Sequence, residues 1–531
     1  MTLGSKIRGG TGNSTGGRAM FVLRGTVVTM RPDGQVLPGG AVYVGDDGLI
    51  AAVTPIDAIP AGFENAVQLA AGGLIYPGLI DLHNHLMYNS LPLWTEPARK
   101  KPWTSHNQWG SAPTYSSQIS QPARLLGAAA GRALLRYVET RAIVGGTTSI
   151  QGNPRGAVPP DNDLIRNVDS EKLGTHDDFI RVSTLVADSK EALAPYAAAV
   201  AAGRGFIAHS AEGSDPKLRS EFQLLEAVDV VKPQLVAIHG GALNADDFAA
   251  MKAGNSTLVW SPFSNLWLYG ATADVRAAHA AGVRLCLGSD WGPSGTRSVL
   301  WELKVADLWN KTQSVFTDEE LVRMLTSNPG DALSGVWPTP LGRLERGALA
   351  DLIVVRRTDP DFYRSLIVAR EVDIRLAVVG GRARYGVPSL MNTLAPAATR
   401  IRTGKLSRFI DYGDSSVTFA TVLADLEKVR QDPVGASVRA EATFTALAAA
   451  APGAFSPNAT SSLPADSFVL LPDMPAPELD DQFRRRGPVG ATPPAVTVPP
   501  PEPLVTGSAW FDAVDANPFH QGLLSGLRAY A

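Results

Sequence analysis

Of the eight histidines in this 531-residue chain, four stand where short apolar runs give way to polar residues. His83 and His85 belong to Asp81-Leu82-His83-Asn84-His85. Side chains at i and i+2 of a strand share a face, so both imidazoles can reach one ion. His209 follows Phe206-Ile207-Ala208, Glu212 comes three residues later, and His239 closes Leu235-Val236-Ala237-Ile238. Asp290 ends Cys286-Leu287-Gly288-Ser289-Asp290. Neutral imidazoles with carboxylates suit zinc or ferrous iron. A divalent cation lowers the pKa of its water toward ~7, supplying hydroxide at neutral pH. One nearby carboxylate can take the water's proton, and a second can protonate a leaving group. Taken singly, each residue has a plainer reading: polar turn residues for His83 and His85, a satisfied core or capping imidazole for His209 and His239, a turn carboxylate for Asp290.

The elements that would position them are strands of a βα alternation beginning near Gly73. Apolar runs at Leu79–His83, Thr147–Gln151, Ile180–Val186, Phe206–His209, Leu235–His239, Thr257–Trp260 and Val283–Gly288 alternate with helical periods. With a weaker run at Leu164–Val168, eight strands fall within residues 73–342. That length is near the ~250 residues of a (β/α)8 TIM barrel, whose chemistry lies at the C-terminal strand ends. Residues 21–72 carry short β-prone runs with Asp33-Gly34 and Asp47-Gly48 turns. β-character returns over 343–388, and the two segments are predicted to pair as a small split β-sandwich around the barrel. The fold class expected is α/β, with a C-terminal extension over 389–531. That extension holds two helical stretches, Val417–Arg430 and Ser437–Ala450, and a proline-rich segment, 472–503, containing Arg484-Arg485-Arg486. Apolar residues from Trp510 to Tyr530 are expected to dock onto the body.

Composition narrows the function. Lys+Arg 48 against Asp+Glu 51 gives 48 − 51 = −3, which excludes a strongly basic nucleic-acid footprint. No apolar run approaches the ~18 residues of a membrane span. The Gly/Ser/Thr-rich residues 1–20 lack a secretory apolar region and are read as a flexible tail. Cys286 is the one cysteine, so no internal disulfide forms, and a reducing, cytoplasmic setting is expected. A small-molecule substrate is the expected partner, with no nucleic acid and no membrane, and the aromatic loop and tail could support a homodimer. His106, His176, His279 and His520 carry no motif and are expected on the surface.

Taken together, the motifs resemble the amidohydrolase superfamily. Pro77-Gly78-Leu79-Ile80-Asp81-Leu82-His83-Asn84-His85 looks like its first-strand signature, and His209-Ser210-Ala211-Glu212 resembles the H-x-x-E of its deaminase-like branch. Trp260-Ser261-Pro262-Phe263-Ser264-Asn265-Leu266 resembles that branch's P-x-S-N-L element. Leu287-Gly288-Ser289-Asp290 matches the eighth-strand Asp, and Gly347-Ala348-Leu349-Ala350-Asp351-Leu352 resembles the return to the β-sandwich. The sub-branch is that of cytosine deaminase, guanine deaminase and the s-triazine hydrolases. The resemblance implies one metal, Zn2+ or Fe2+, on His83, His85, His209 and Asp290. It implies that Asp290 orients and deprotonates the water, His239 polarises the reacting carbon, and Glu212 shuttles a proton to the leaving amine. Two-metal members carry a carboxylated barrel lysine; here Lys190 is the nearest candidate. The loop after His85 departs from the familiar deaminases in its aromatics, Tyr88, Trp94, Trp103, Trp109 and Tyr115. Trp267, Trp291, Asn265 and Trp94 are the candidates for substrate contact. The expectation is a hydrolase of C–N bonds in a small cyclic nitrogen compound, foremost a deaminase. The alternatives are a cyclic-amide hydrolase using the same site and a metal-free scaffold.

Overall fold

In the computed structural model, the described residues are 19–152, 164–168, 180–183, 189–337, 339–450 and 496–531. His176 and Arg484–Arg486 lie outside them, as do residues 1–18 of the expected tail and 472–495 of the proline-rich segment. Among the described residues no helix is long and apolar enough to cross a membrane.

The fold is mixed α/β. Strands β1 (Phe21–Val28), β2 (Val36–Val44), β3 (Ile50–Pro55) and β4 (Val67–Pro77) come first. β5 (Leu79–Asp81), β6 (Thr147–Ile150), β7 (Arg166–Asn167) and β8 (Ile180–Ser183) follow. β9 (Gly205–Ser210), β10 (Leu235–His239), β11 (Thr257–Trp260) and β12 (Arg284–Leu287) come next. The last are β13 (Leu352–Val355), β14 (Ile374–Val379), β15 (Arg382–Gly386), β16 (Thr399–Thr403) and β17 (Leu406–Ile410).

All eight runs of the βα alternation are strands, including the weak one, where β7 holds two residues. They pair in parallel as a three-stranded sheet, β5-β6-β7, and a five-stranded sheet, β12-β11-β10-β9-β8. The ends of β5 and β12 meet through a parallel bridge between Asn84 and Asp290, where the Asp290 N–H donates to His83 O at 2.9 Å. Successive apolar residues are buried on both faces, as parallel sheets covered by helices require.

The remaining strands form one nine-stranded sheet, β16-β17-β15-β14-β13-β4-β1-β2-β3. Its seam is the antiparallel pair β4–β13, with Ile353 opposite Tyr76, so residues 21–77 and 352–410 share a sheet. β4 runs through the expected boundary at 72/73 and turns into β5 at Gly78. A Cβ there would lie 2.0 Å from Thr148 Oγ1, so only glycine lets the strands pass this closely. The sheet also continues past 388 into β16 and β17.

Helix α1 (Gln121–Val144) lies between the loop after β5 and strand β6. Helix α2 (Pro262–Tyr269) follows β11; Pro262 suits the first turn and Gly270, at φ +66°, ends it. Helix α3 (Val299–Gln313) follows β12. In the C-terminal region α4 (Phe419–Gln431) and α5 (Pro433–Ala450) occupy the two expected helical stretches. Phe419 of α4 stacks on Tyr137 of α1, centroids 6.3 Å apart. The final segment carries α6 (Ser508–Ala516) and docks on the body, with Trp510, Phe511, Val514, Leu524 and Leu527 buried.

Candidate metal centre

The ends of β5, β9, β10 and β12 bring His83, His85, His209, Glu212, His239 and Asp290 to one place, none more than 6% exposed. Three overlapping groups each have ligand atoms within 4.8 Å of one another: His83–His85–His209, His83–His239–Asp290 and His209–Glu212–His239. His83 Nε2 lies 3.1 Å from His209 Nε2 and 3.3 Å from Asp290 Oδ1. Asp290 Oδ1 is 3.6 Å from His85 Nε2. Donors set tetrahedrally at 2.0–2.2 Å from a common ion are about 3.3–3.6 Å apart. The spacing and the chemistry of the donors therefore fit one divalent cation. Lys190 is exposed at the start of the helix Lys190–Ala201, away from these side chains.

The backbone is bent to make this convergence. His239 (φ +70°), Asp290 (φ +61°) and Ala211 (φ +53°) occupy the left-handed region, unusual for residues with a Cβ. Gly288 gives His83 its room, since a Cβ there would stand 2.3 Å from His83 Cβ. Asp81 ties β5 to β12: its carboxylate accepts from Ser289 Oγ (2.5 Å), Ser289 N (3.1 Å) and Asn84 Nδ2 (3.2 Å). Burial raises Asp81 to about 6 despite these donors.

Partners orient the rings. His83 Nδ1 sits 2.7 Å from Ser261 Oγ; donation of its N–H there leaves the Nε2 lone pair facing the centre. Asn265 Nδ2 lies 3.1 Å from His239 Nδ1, while Asn265 Oδ1 accepts from Thr272 Oγ1. With the amide nitrogen as donor, His239 Nδ1 is the acceptor and Nε2 carries the hydrogen. That Nε2 is 3.6 Å from Glu212 Oε1. Burial lowers His239 to about 4, so the ring is neutral near pH 7. Burial raises Asp290 to about 7, a value a bound cation would pull down.

The aromatic candidates occupy two positions. Trp291 is nearer the centre, edge-on to His85 at 6.4 Å and against Tyr88, Trp109 and Tyr115. Trp267 is stacked on Phe263 at 5.5 Å and donates its indole N–H to Trp94 O at 2.8 Å. Trp94 donates its own N–H to Thr114 Oγ1. Residues 86–120 thereby form a lid over the strand ends, pinned by Trp103 N to Leu268 O and by Trp94 N to Pro293 O, both 2.8 Å.

Three features escaped the sequence reading. Tyr269 donates its hydroxyl to Glu212 Oε1 at 2.6 Å; its i+4 spacing from Asn265, one helical face, was the available signal. His106 is not a bland surface residue. It pairs with Glu221 at 2.8 Å, and Glu221 in turn accepts from Ala211 N at 2.6 Å, holding the turn that carries Glu212. His520 is likewise buried, its Nε2 2.9 Å from Val514 O, because the terminal segment folds back on itself. His279 is half-buried, its ring edge-on to Phe316 at 5.0 Å.

An amidohydrolase family model matches residues 172–384, which include His209, Glu212, His239 and Asp290. The chain is 27% identical over 424 residues to the 5-methylthioadenosine/S-adenosylhomocysteine deaminase of Syntrophobacter fumaroxidans, covering 68% of this chain and 92% of that one. Over residues 172–384 the chain is similar to the amidohydrolase family. Its match to the deaminase of the same name from Pyrococcus furiosus is 31% identical over 143 residues, 26% of this chain and 33% of the relative, so it spans a third of that relative's length. An adenosine deaminase from Xanthomonas campestris, solved with bound zinc, superposes on this chain with TM-score 0.58 at 19% identity, covering 78% of this chain and 98% of that one. At that identity the likeness is one of fold.

Proposed function

We propose that this protein is an amidohydrolase that deaminates a small aminated nitrogen heterocycle, with purine-type rings as the first class to try. The observation that carries the reading is the placing of Glu212 Oε1 3.6 Å from His239 Nε2, at the edge of a donor cluster fitted to one cation. His83, His85, His209 and Asp290 are the proposed ligands, for zinc or ferrous iron. A bound divalent cation supplies Lewis acidity that makes water acidic near neutral pH. Asp290 orients the attacking water and takes its proton. The His239 Nε2–H donates to the oxygen entering at the reacting carbon, as a neutral imidazole can. Glu212 passes a proton to the departing nitrogen. The water oxygen forms the new C–O bond, the exocyclic C–N bond breaks, ammonia leaves and an oxo group replaces the amino group.

The relatives named as deaminases of 5-methylthioadenosine and S-adenosylhomocysteine support this substrate class. Trp291, with Trp109 and Tyr115 behind it, is the proposed face for a planar ring. Trp267 and Trp94 fix the lid above it, and Asn265 acts through His239. In the same reading β5–β12 form one (β/α)8 barrel, joined at Asn84 and Asp290, and β1–β4 with β13–β17 form the second module, the split β-sandwich of the sequence expectation.

The test is a panel of aminated purines, pyrimidines, triazines and their nucleosides, scored for ammonia and for product mass. Deamination of an amino group to an oxo group is the expected mass change. Addition of one water without ammonia would replace this reading by ring opening. Glu212→Gln is expected to lower turnover by ~10²–10⁴-fold while retaining the metal; unchanged turnover removes the proton-shuttle role.

A further inference from the structure

Glu212 is held by more than its own loop. Its backbone carbonyl accepts the N–H of His106, at 3.1 Å, and the next residue, Gly213, bridges to Ser105. His106 and Ser105 both belong to the lid, residues 86–120. Its carboxylate is held from a second direction: Tyr269 donates its hydroxyl to Oε1 at 2.6 Å, and the Trp109 indole N–H donates to that same phenol oxygen at 3.1 Å. Trp109 is again a lid residue. The phenol therefore has its hydrogen directed at the carboxylate and a lone pair occupied by the indole, which fixes its rotation about the C–O bond. All three side chains are buried, so water does not compete for these bonds.

We propose that Tyr269 is a positioning residue that sets the Glu212 carboxylate for proton transfer and couples it, through Trp109, to the docked state of the lid. This deepens the deaminase reading and rests on it. Burial and the neighbouring Glu212 charge keep the phenol protonated well above its usual range, so Tyr269 stays a donor. With the lid undocked, Glu212 loses the His106 N–H from its backbone and the indole that orients Tyr269. The shuttle is then assembled only when the lid excludes water, which matches chemistry to closure. Helix α2 makes this possible by carrying Asn265 and Tyr269 one turn apart, so one rigid element orients both His239 and Glu212.

The experiment uses the full chain as Tyr269→Phe, Trp109→Phe, Glu212→Ala and the Tyr269→Phe/Glu212→Ala double variant. Metal content per chain, kcat and KM for ammonia release, and Tm are measured for each. Tyr269→Phe is expected to lower kcat ~10- to 100-fold, the scale of a misplaced catalytic group, with KM within ~3-fold and metal content unchanged. Trp109→Phe moves kcat the same way by less. The Tm losses of Tyr269→Phe and Glu212→Ala are expected to be non-additive, the double variant losing less than the sum. Wild-type kcat in Tyr269→Phe, or additive Tm losses, overturns the proposal. A Tyr269→Phe chain that does not fold leaves the decision to Trp109→Phe, whose unchanged kcat also overturns it. Absence of ammonia from every compound with the wild-type chain is a failure of the deaminase reading, and the Tm cycle still decides whether Tyr269 and Glu212 are coupled.

Discussion

Ser261 shows how far a single hydroxyl can set the chemistry of this centre. Its oxygen, 2.7 Å from His83 Nδ1, can accept the hydrogen of that nitrogen and leave Nε2 to the cation. Such outer partners are typically worth 10–100-fold in metal affinity. Ser261→Ala is therefore expected to weaken zinc binding by ~10–100-fold, measured by competition with a chromogenic chelator, with the fold intact by circular dichroism. Equal affinity in the two proteins would mean that packing alone orients the ring. The proposed ligands were legible in the sequence because the H-x-H spacing and the polar residue after each apolar run are local patterns. Their partners were not, because they are distant in the chain: Ser261 lies 178 residues from His83, Glu221 lies 115 from His106, and Tyr269 lies 57 from Glu212.

At the scale of elements, helix α2 is the piece on which most depends, and it is held at both ends. Glu302 of α3 accepts the Phe263 N–H at 2.8 Å and the Thr296 hydroxyl at 2.6 Å, and burial raises its carboxyl to about 8. On the far side a stack runs Trp267–Phe263–Trp510, with centroids 5.5 and 5.4 Å apart. Trp510→Ala should cost about 3–5 kcal/mol, and a differential-scanning measurement should show it as a lowered Tm. Lys304, also on α3, is buried, its ammonium donating to Leu300 O and Ala369 O. Burial lowers it to about 7, below the ordinary lysine value. The folded state then binds fewer protons than the unfolded chain between about pH 7 and pH 10, so stability rises with pH across that window. Lys304→Met should accordingly gain Tm over wild type at pH 6.5 and lose most of that advantage near pH 10. An advantage independent of pH would mean the amine titrates in the folded protein as it does in the unfolded chain. The strand pattern that carries these helices was legible from apolar runs of four to seven residues. The partnering of residues 21–77 with 352–410 in one nine-stranded sheet depends on long-range pairing at β4–β13, which periodicity only suggests.

Across the whole molecule, the C-terminal segment 496–531 behaves as a strap across the back of the site. Glu502 reaches Arg297 at 2.5 Å and Arg141 at 3.8 Å, two buried guanidinium groups behind Asp81 and Asn84. The Thr506 hydroxyl and N–H donate to Glu371 Oε1, which the Trp301 indole also reaches. Asn517 Nδ2 donates to Trp267 O at 3.2 Å, on the helix that holds Tyr269. The sequence showed an apolar terminus that could dock, but not the carboxylate it delivers. Glu502→Gln is expected to destabilise by about 1.5–3 kcal/mol, the worth of a hydrogen bond to a charged group, read as a lowered Tm. An unchanged Tm would place Glu502 in the solvated rim.

The central claim is that four side chains from three strand ends, His83, His85, His209 and Asp290, hold one catalytic cation. Its most direct test is metal content per chain, by elemental mass spectrometry on protein purified without a metal-affinity tag, beside a His83→Ala/His85→Ala variant. About one zinc or iron per chain, lost in the variant, is the predicted result. No metal after incubation with zinc or iron, or equal metal in the variant, would contradict it.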